Sequence, residues 1–232
     1  MKRQAGFTLI EMLIAISLVA VISAGLLTTM RNGLLTMQKT QQRLGENRRA
    51  LGIQDFISRQ IGGAMPVKGR CGAGDVFSTR ELFRGTDTAM LLVSNESMEE
   101  GSRGRPRIAL YQVRENRDGT VRLEVTEQPF VSPISAAPFC GLDLADIHSP
   151  ANANPPFVLL DHLAYCRFVY RNLNLETLFG REMMDAWVRP YLPHSIRIEL
   201  APAANSDVRM PVGGITIPLR IGRDPGMDYF DE

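Results

Sequence analysis

The stretch from Phe7 to Met30 limits what this chain can become more than any other. It reads FTLIEMLIAISLVAVISAGLLTTM, and its one charged residue is Glu11. As a helix it is roughly 36 Å long, enough to cross a hydrocarbon core about 30 Å thick. A helix buried in a soluble domain is seldom apolar on every face over such a length, so this run is expected to lie in a membrane. Over the whole chain, 44% of residues are hydrophobic and the mean hydropathy is −0.07. Those values exclude a polytopic membrane protein and leave one span attached to a water-soluble remainder. The 26 Lys and Arg are balanced by 25 Asp and Glu. That balance excludes a broadly basic nucleic-acid binder, and no nucleic-acid partner is expected.

Two features separate the run from an ordinary secretory signal. Such a signal has an apolar core of about 7–15 residues closed by a small-residue cleavage site. Here the run is longer, no A-x-A pattern closes it, and the small residue, Gly6, stands in front of it behind the basic Lys2 and Arg3. The second feature is Glu11. A carboxylate inside a membrane helix costs several kcal/mol, on the order of 3, and such groups are usually paired or functional. A cut between Gly6 and Phe7 would create an α-amino group at Phe7. Glu11, four residues on, lies one helical turn away as its counter-charge or that of a neighbouring subunit.

Gly6-Phe7-Thr8-Leu9-Ile10-Glu11, followed by Met12-Leu13-Ile14-Ala15, resembles the type III signal of type IV pilins and type II secretion pseudopilins. The resemblance implies that a prepilin peptidase cuts after Gly6, that Phe7 becomes the N-methylated residue, and that Glu11 is the assembly glutamate. It also implies a bacterial inner-membrane, single-pass protein with its C-terminal domain in the periplasm. Loop charge is a poor guide to that orientation, because Arg31, Lys39, Arg43, Arg48 and Arg49 follow the span and long domains translocate largely regardless of charge. The expected organisation is a leader at 1–6, a transmembrane helix at 7–30, an amphipathic continuation at 31–65 and a β-rich head at 66–232. The fold class is α+β and pilin-like, a long N-terminal helix packed on an antiparallel sheet.

The residues themselves support that layout. Ala50, Ile53, Ile57 and Ile61 recur at helical spacing, with Leu44 and Phe56 near the same stripe. Gly33, Gly45 and Gly52 each weaken the helix by about 1 kcal/mol relative to Ala, and Gly62-Gly63 with Pro66 ends it. Strands are expected at Met90–Val93, Ile108–Val113, Val121–Val125, Phe157–Tyr170, Ser195–Leu200 and Ile215–Ile221. Val121–Val125 alternates as if one face were buried and one wet, and Pro218 argues for a sheet edge. From Gln128 to Pro156 the chain is rich in Pro, Ala, Ser and Asn, a long loop expected to decorate the domain.

The C-terminal half narrows the resemblance. Leu159-Leu160-Asp161-His162-Leu163, then Arg167-Phe168-Val169-Tyr170, Trp187 and Leu192-Pro193-His194-Ser195-Ile196-Arg197 are similar to the J-type (GspJ-like) minor pseudopilins. PilW-like minor type IV pilins share the size and layout. The J-type resemblance implies a non-enzymatic subunit of a pseudopilus tip, with I-type and K-type minor pseudopilins and the major pseudopilin as partners. No cofactor is implied. Gly-x-Ser-x-Gly, P-loop and His-Glu-x-x-His patterns are absent from the sequence, and no metal site is expected from the scattered His148, His162 and His194 or from Asp143, Asp146 and Asp161. Trp187 reads as a core or interface anchor, and Arg103, Arg105 and Arg107 as a solvated basic turn. Cys71, Cys140 and Cys166 permit three single disulfides. Cys71–Cys140 is favoured, since both precede Gly in loop-like sequence whereas Cys166 lies in an apolar strand.

Overall fold

One long helix and ten strands carry the architecture of the computed structural model, which describes residues 9–71, 78–99, 104–139, 155–173, 181–204 and 214–220. The chain divides into two compact units, Met1–Arg48 and Arg49–Glu232, and the division falls within helix α1, Leu9–Gly62.

In the first unit every described side chain from Leu9 to Gln41 is exposed. Leu9–Gln41 has the length and composition to cross a membrane. Within it, Gly33-Leu34-Leu35-Thr36-Met37 resumes the apolar character after Arg31. Several of its hydroxyls bond back to the helix: Ser17 donates to the Ile14 carbonyl at 2.8 Å, Thr28 to Ala24 at 2.8 Å and Thr29 to Gly25 at 2.9 Å. Such back-bonding lets a polar side chain sit in hydrocarbon without an orphaned donor. Leu44, expected on the packed stripe, belongs to this unit and is exposed.

In the second unit the last turns of α1 lie on the sheet. Ile57 and Ile61 are fully buried, and Ala50, Ile53 and Phe56 are partly buried against the same cluster. Burying each isoleucine stabilises the unit by about 2 kcal/mol. The helix ends at Gly62, and the Gly63 amide donates to the Arg59 carbonyl at 2.8 Å.

The strands are β1 Lys68–Cys71, β2 Ser78–Glu81, β3 Arg84–Gly85, β4 Ala89–Ser94, β5 Arg107–Glu115, β6 Val121–Pro129, β7 Phe157–Leu173, β8 Arg181–Met184, β9 Ser195–Pro202 and β10 Ile215–Pro218. All pairings are antiparallel. The main sheet runs β10-β9-β7-β6-β5-β4-β3, and β10, with its proline, lies at the end as expected. β8 pairs with β7 over Tyr170–Leu173, beyond the stretch that pairs with β6. A bridge between Gly85 and Trp187 then brings β3 back beside the segment that follows β8, so the ladder curls round toward itself.

Two apolar clusters result, one on each face. The first gathers Ile57 and Ile61 with Tyr111, Leu123, Phe168, Tyr170 and Trp187. The second holds Leu82, Leu91, Val93, Ile108 and Leu110 under Ala136 and Phe139 of a 3-10 helix, η1, Pro133–Phe139. The stretch from Gln128 therefore does more than decorate: β6 extends to Pro129, and η1 supplies core residues. The wet face expected on Val121–Val125 is also corrected, because Glu124 is buried and lies between Arg122, at 3.1 Å, and Arg114, at 3.5 Å. Opposite charges across the strand pair let a carboxylate occupy that face.

Gly85 has no room for a side chain. A Cβ there would strike the hydroxyl of Tyr170, which is itself buried and donates to the Thr86 carbonyl at 2.9 Å. Gly85→Ala is expected to destabilise the second unit by about 3 kcal/mol, seen as a lower denaturation midpoint of the detergent-solubilised chain. Gly52→Ala is expected to change stability in the opposite sense, by about 1 kcal/mol, because it sits in a helix with nothing within 4 Å of the added methyl.

Candidate functional site at the N-terminal helix

Gly6 and Phe7, expected at the cleavage and methylation point, lie outside the described residues. Glu11 is described. It occupies the first turn of α1 and is exposed among Leu9, Ile10, Met12, Leu13 and Ile14. The unbonded amides of a helix start carry partial positive charge, so an acid there gains about 0.3–1 kcal/mol from the macrodipole. That gain does not offset transfer of a carboxylate into hydrocarbon.

The other residues singled out in the sequence do not converge on a second site. His162 lies 3.6 Å from Asp161 and 4.0 Å from Asp118. Hydrogen bonds from Thr120 hold the Asp118 carboxyl below the usual carboxylate range. Among the described residues, no group of three or more His, Cys, Asp or Glu is placed to hold a metal ion, and His148, Asp143 and Asp146 lie outside them. Arg103 also lies outside. Arg107 is not part of a solvated turn: it is buried at the start of β5 and pairs with Glu99 at 2.9 Å. Trp187 is a core anchor, fully buried, with its indole N–H donating to the Tyr191 carbonyl at 2.7 Å. Cys71 is disulfide-bonded and Cys140 lies outside the described residues. Cys166 is a free thiol whose burial pushes it up to about 12, which keeps it unreactive at neutral pH.

Sequence reasoning missed a buried polar network in the second unit. Glu127 is fully buried and accepts from Gln60 Nε2 at 2.6 Å, from the Ser97 hydroxyl at 2.8 Å and from the Met98 amide at 3.0 Å. Gln60 also donates to the Glu96 carbonyl at 2.8 Å, and its Oε1 accepts from the Tyr111 hydroxyl at 2.5 Å. Burial, and then the Glu127 charge, push the Tyr111 phenol well above its ordinary value, which keeps it a neutral donor. The signal was in the phase: Gln60 falls on the stripe of Ile57 and Ile61, and Glu127 follows Leu123 and Val125 at a spacing of two. The network ties the end of α1 to β5 and β6 within this unit.

Comparison with known proteins bears on the N-terminal helix alone. Residues 1–27 match the model of the prokaryotic N-terminal methylation motif. No curated protein matches the chain, and no solved structure matches it. The chain thus carries the N-terminal methylation motif of prokaryotic type IV pilin-like proteins, on an apolar helix that fits a single-pass inner-membrane anchor. That motif implies processing by prepilin peptidase and pilin-type assembly.

Proposed function

We propose that this chain is a minor pseudopilin of the type II secretion system, of the J-type, and that it works as a structural subunit of the pseudopilus tip. The observation that carries the reading is the methylation motif over residues 1–27, and the antiparallel head behind the helix is consistent with it. In this account the peptidase cuts after Gly6 and methylates Phe7. The apolar helix waits in the inner membrane and then exchanges lipid contacts for contacts with the helices of I-type, K-type and major pseudopilins. The head domain lies in the periplasm. Minor type IV pilins of the PilW-like kind carry the same motif, and for them the outcome is priming of a pilus. Deleting the coding sequence separates the two: loss of exported folded proteins with pili intact supports the secretion reading, and loss of pili with secretion intact overturns it.

Glu11 supplies the assembly prediction. A methylated amine at Phe7 stays cationic, and a charge-assisted bond to Glu11 contributes about 1.5–3 kcal/mol. Glu11→Ala is expected to insert and be cut normally while its co-purification with other pseudopilins falls about tenfold or more. Unimpaired assembly and secretion by the fully processed variant would return Glu11 to an acid that merely reaches the headgroups.

A further inference from the structure

The 3-10 helix η1 is apolar on both of its sides. Residues three apart eclipse in such a helix, and accordingly Ala136 and Phe139 are buried in the second cluster while Ile134 and Ala137 face outward. Val131, just ahead of η1, is 71% exposed, and Ile134 is 58% exposed. Cations stand at both ends of this ridge. Arg105 is exposed beside Pro106, whose carbonyl accepts from the Phe130 amide at 2.8 Å. Arg80 is exposed opposite Gly69, where a Cβ would stand 2.8 Å from Ala136 Cβ. The Arg84 guanidinium donates to the Phe139 carbonyl, and its Nε has no acceptor. Among the described residues none of the three arginines is in an ion pair; Glu81 pairs with Lys68 at 3.7 Å and Glu99 with Arg107 at 2.9 Å. Burial, and then the charge of Arg80, lower Arg84 from its ordinary value, so these two like charges lie within reach of each other.

We propose that the outer side of η1, with Arg80, Arg84 and Arg105 around it, is a contact patch for the phosphates and upper acyl chains of an anionic lipid surface. An exposed apolar ridge gains by leaving water, whereas guanidinium groups around it lose by burial without an anion. A lipid surface answers both at once. The ridge enters the boundary between headgroups and acyl chains, and the cations stay at the level of the phosphates. Each guanidinium near an anionic surface strengthens the contact about fivefold.

The chain itself supplies that surface. Leu9–Gln41 has the length and composition to cross a membrane, and packing on the sheet begins at Ala50. The residues between can span no more than about 30 Å even when extended, so the second unit is tethered to lipid at all times. A ridge this short binds lipid weakly alone, and the tether raises its effective concentration. An acidic partner protein would match the charge but must first be met by diffusion. The proposal rests on the anchor reading of α1 and is indifferent to whether the subunit serves secretion or a pilus.

The test uses the full chain reconstituted through α1 into vesicles of brominated phosphatidylcholine and phosphatidylglycerol at about 3:1, beside vesicles of brominated phosphatidylcholine alone. Ile134→Trp places a reporter on the ridge. The parent chain, whose sole tryptophan is the fully buried Trp187, is the blank. Emission from Ile134→Trp is expected to fall about twofold or more in the mixed vesicles, with the parent unquenched. Adding Arg80→Glu and Arg105→Glu, both at exposed side chains, is expected to reduce the quenching to the level of the blank at an unchanged denaturation midpoint. A second measurement needs no substitution: amide exchange across 131–139 is expected to be about fivefold slower or more in the mixed vesicles than in detergent. Quenching that is absent, or that survives both charge reversals, overturns the proposal. So does protection of 131–139 by inorganic phosphate in detergent without quenching in vesicles, which marks a free-anion site. Protection that requires a second pilin-like subunit overturns it too and marks a protein interface. Alkaline carbonate extraction checks the anchor separately. A chain stripped from the vesicles overturns the anchor reading and the proposal with it, whereas a retained chain without quenching overturns the patch alone.

Discussion

Gly6→Val is expected to abolish processing: the chain remains an uncut precursor in the membrane, with the leader still attached. The peptidase must draw the backbone at the scissile bond into its own site, and glycine presents no side chain to that approach and the widest backbone freedom. Valine is branched at Cβ and restricts both. The loss is all-or-none because every later step depends on the cut. Without a free amine at Phe7 there is nothing to methylate and no cation one turn from Glu11. Immunoblotting of membranes should show a single species at precursor size, and the head should keep the wild-type denaturation midpoint. A normally processed Gly6→Val chain would refute the assignment of the cleavage point.

The second large effect is on stability and lies in the head. Glu127→Ala removes the acceptor for three donors at once, from Gln60, Ser97 and Met98, in a place from which water is excluded. Gln60 keeps its bond to the Glu96 carbonyl and Ser97 Oγ still accepts from the Glu99 amide, so the loss is partial for these two and complete for the Met98 amide within the network. At about 1–3 kcal/mol per stranded group, the expected cost is about 4 kcal/mol. For a domain of this size that lowers the melting temperature by about 10 °C. Asp55→Ala is the comparison. Its pair with Arg59 at 3.0 Å lies on the same helix end but in solvent, and its removal should cost under about 0.5 kcal/mol. Equal losses from the two variants would show that the Glu127 network is not a structural tie.

What could be read from the sequence was what local period and composition determine. The run from Phe7 is apolar on every face, so its role needed no tertiary information. Ser195–Leu200 alternates because one face of β9 meets the core, with Ile196, Ile198 and Leu200 buried, and Pro218 marked an edge because it lacks an N–H. The failures came where tertiary packing overrode local pattern. β1 and β2 read KGRC and STRE, too polar and too short to announce strands, and they form because they pair with each other. Pro133–Phe139 looked like loop because its apolar residues are spaced for a 3-10 turn resting on a sheet whose second face was not foreseen. Glu124 broke the wet-face expectation because paired arginines let a carboxylate be buried. Leu44 sits on the apolar stripe by spacing yet is exposed in the first unit. At the N-terminus the balance reverses. The motif is legible in Gly6–Glu11 as a sequence, and its first three residues lie outside the described structure.

The central claim, that this chain is processed as a pilin-like subunit, is tested most directly by the mass of its own N-terminal peptide. The protein is isolated from the inner membrane of a host that has the prepilin peptidase, and the peptide is sequenced by tandem mass spectrometry. The account predicts a chain that begins at Phe7, with one methyl group on its α-amine and Glu11 unmodified. A chain that still begins with the leader, or one cut on the C-terminal side of the apolar run, would contradict it.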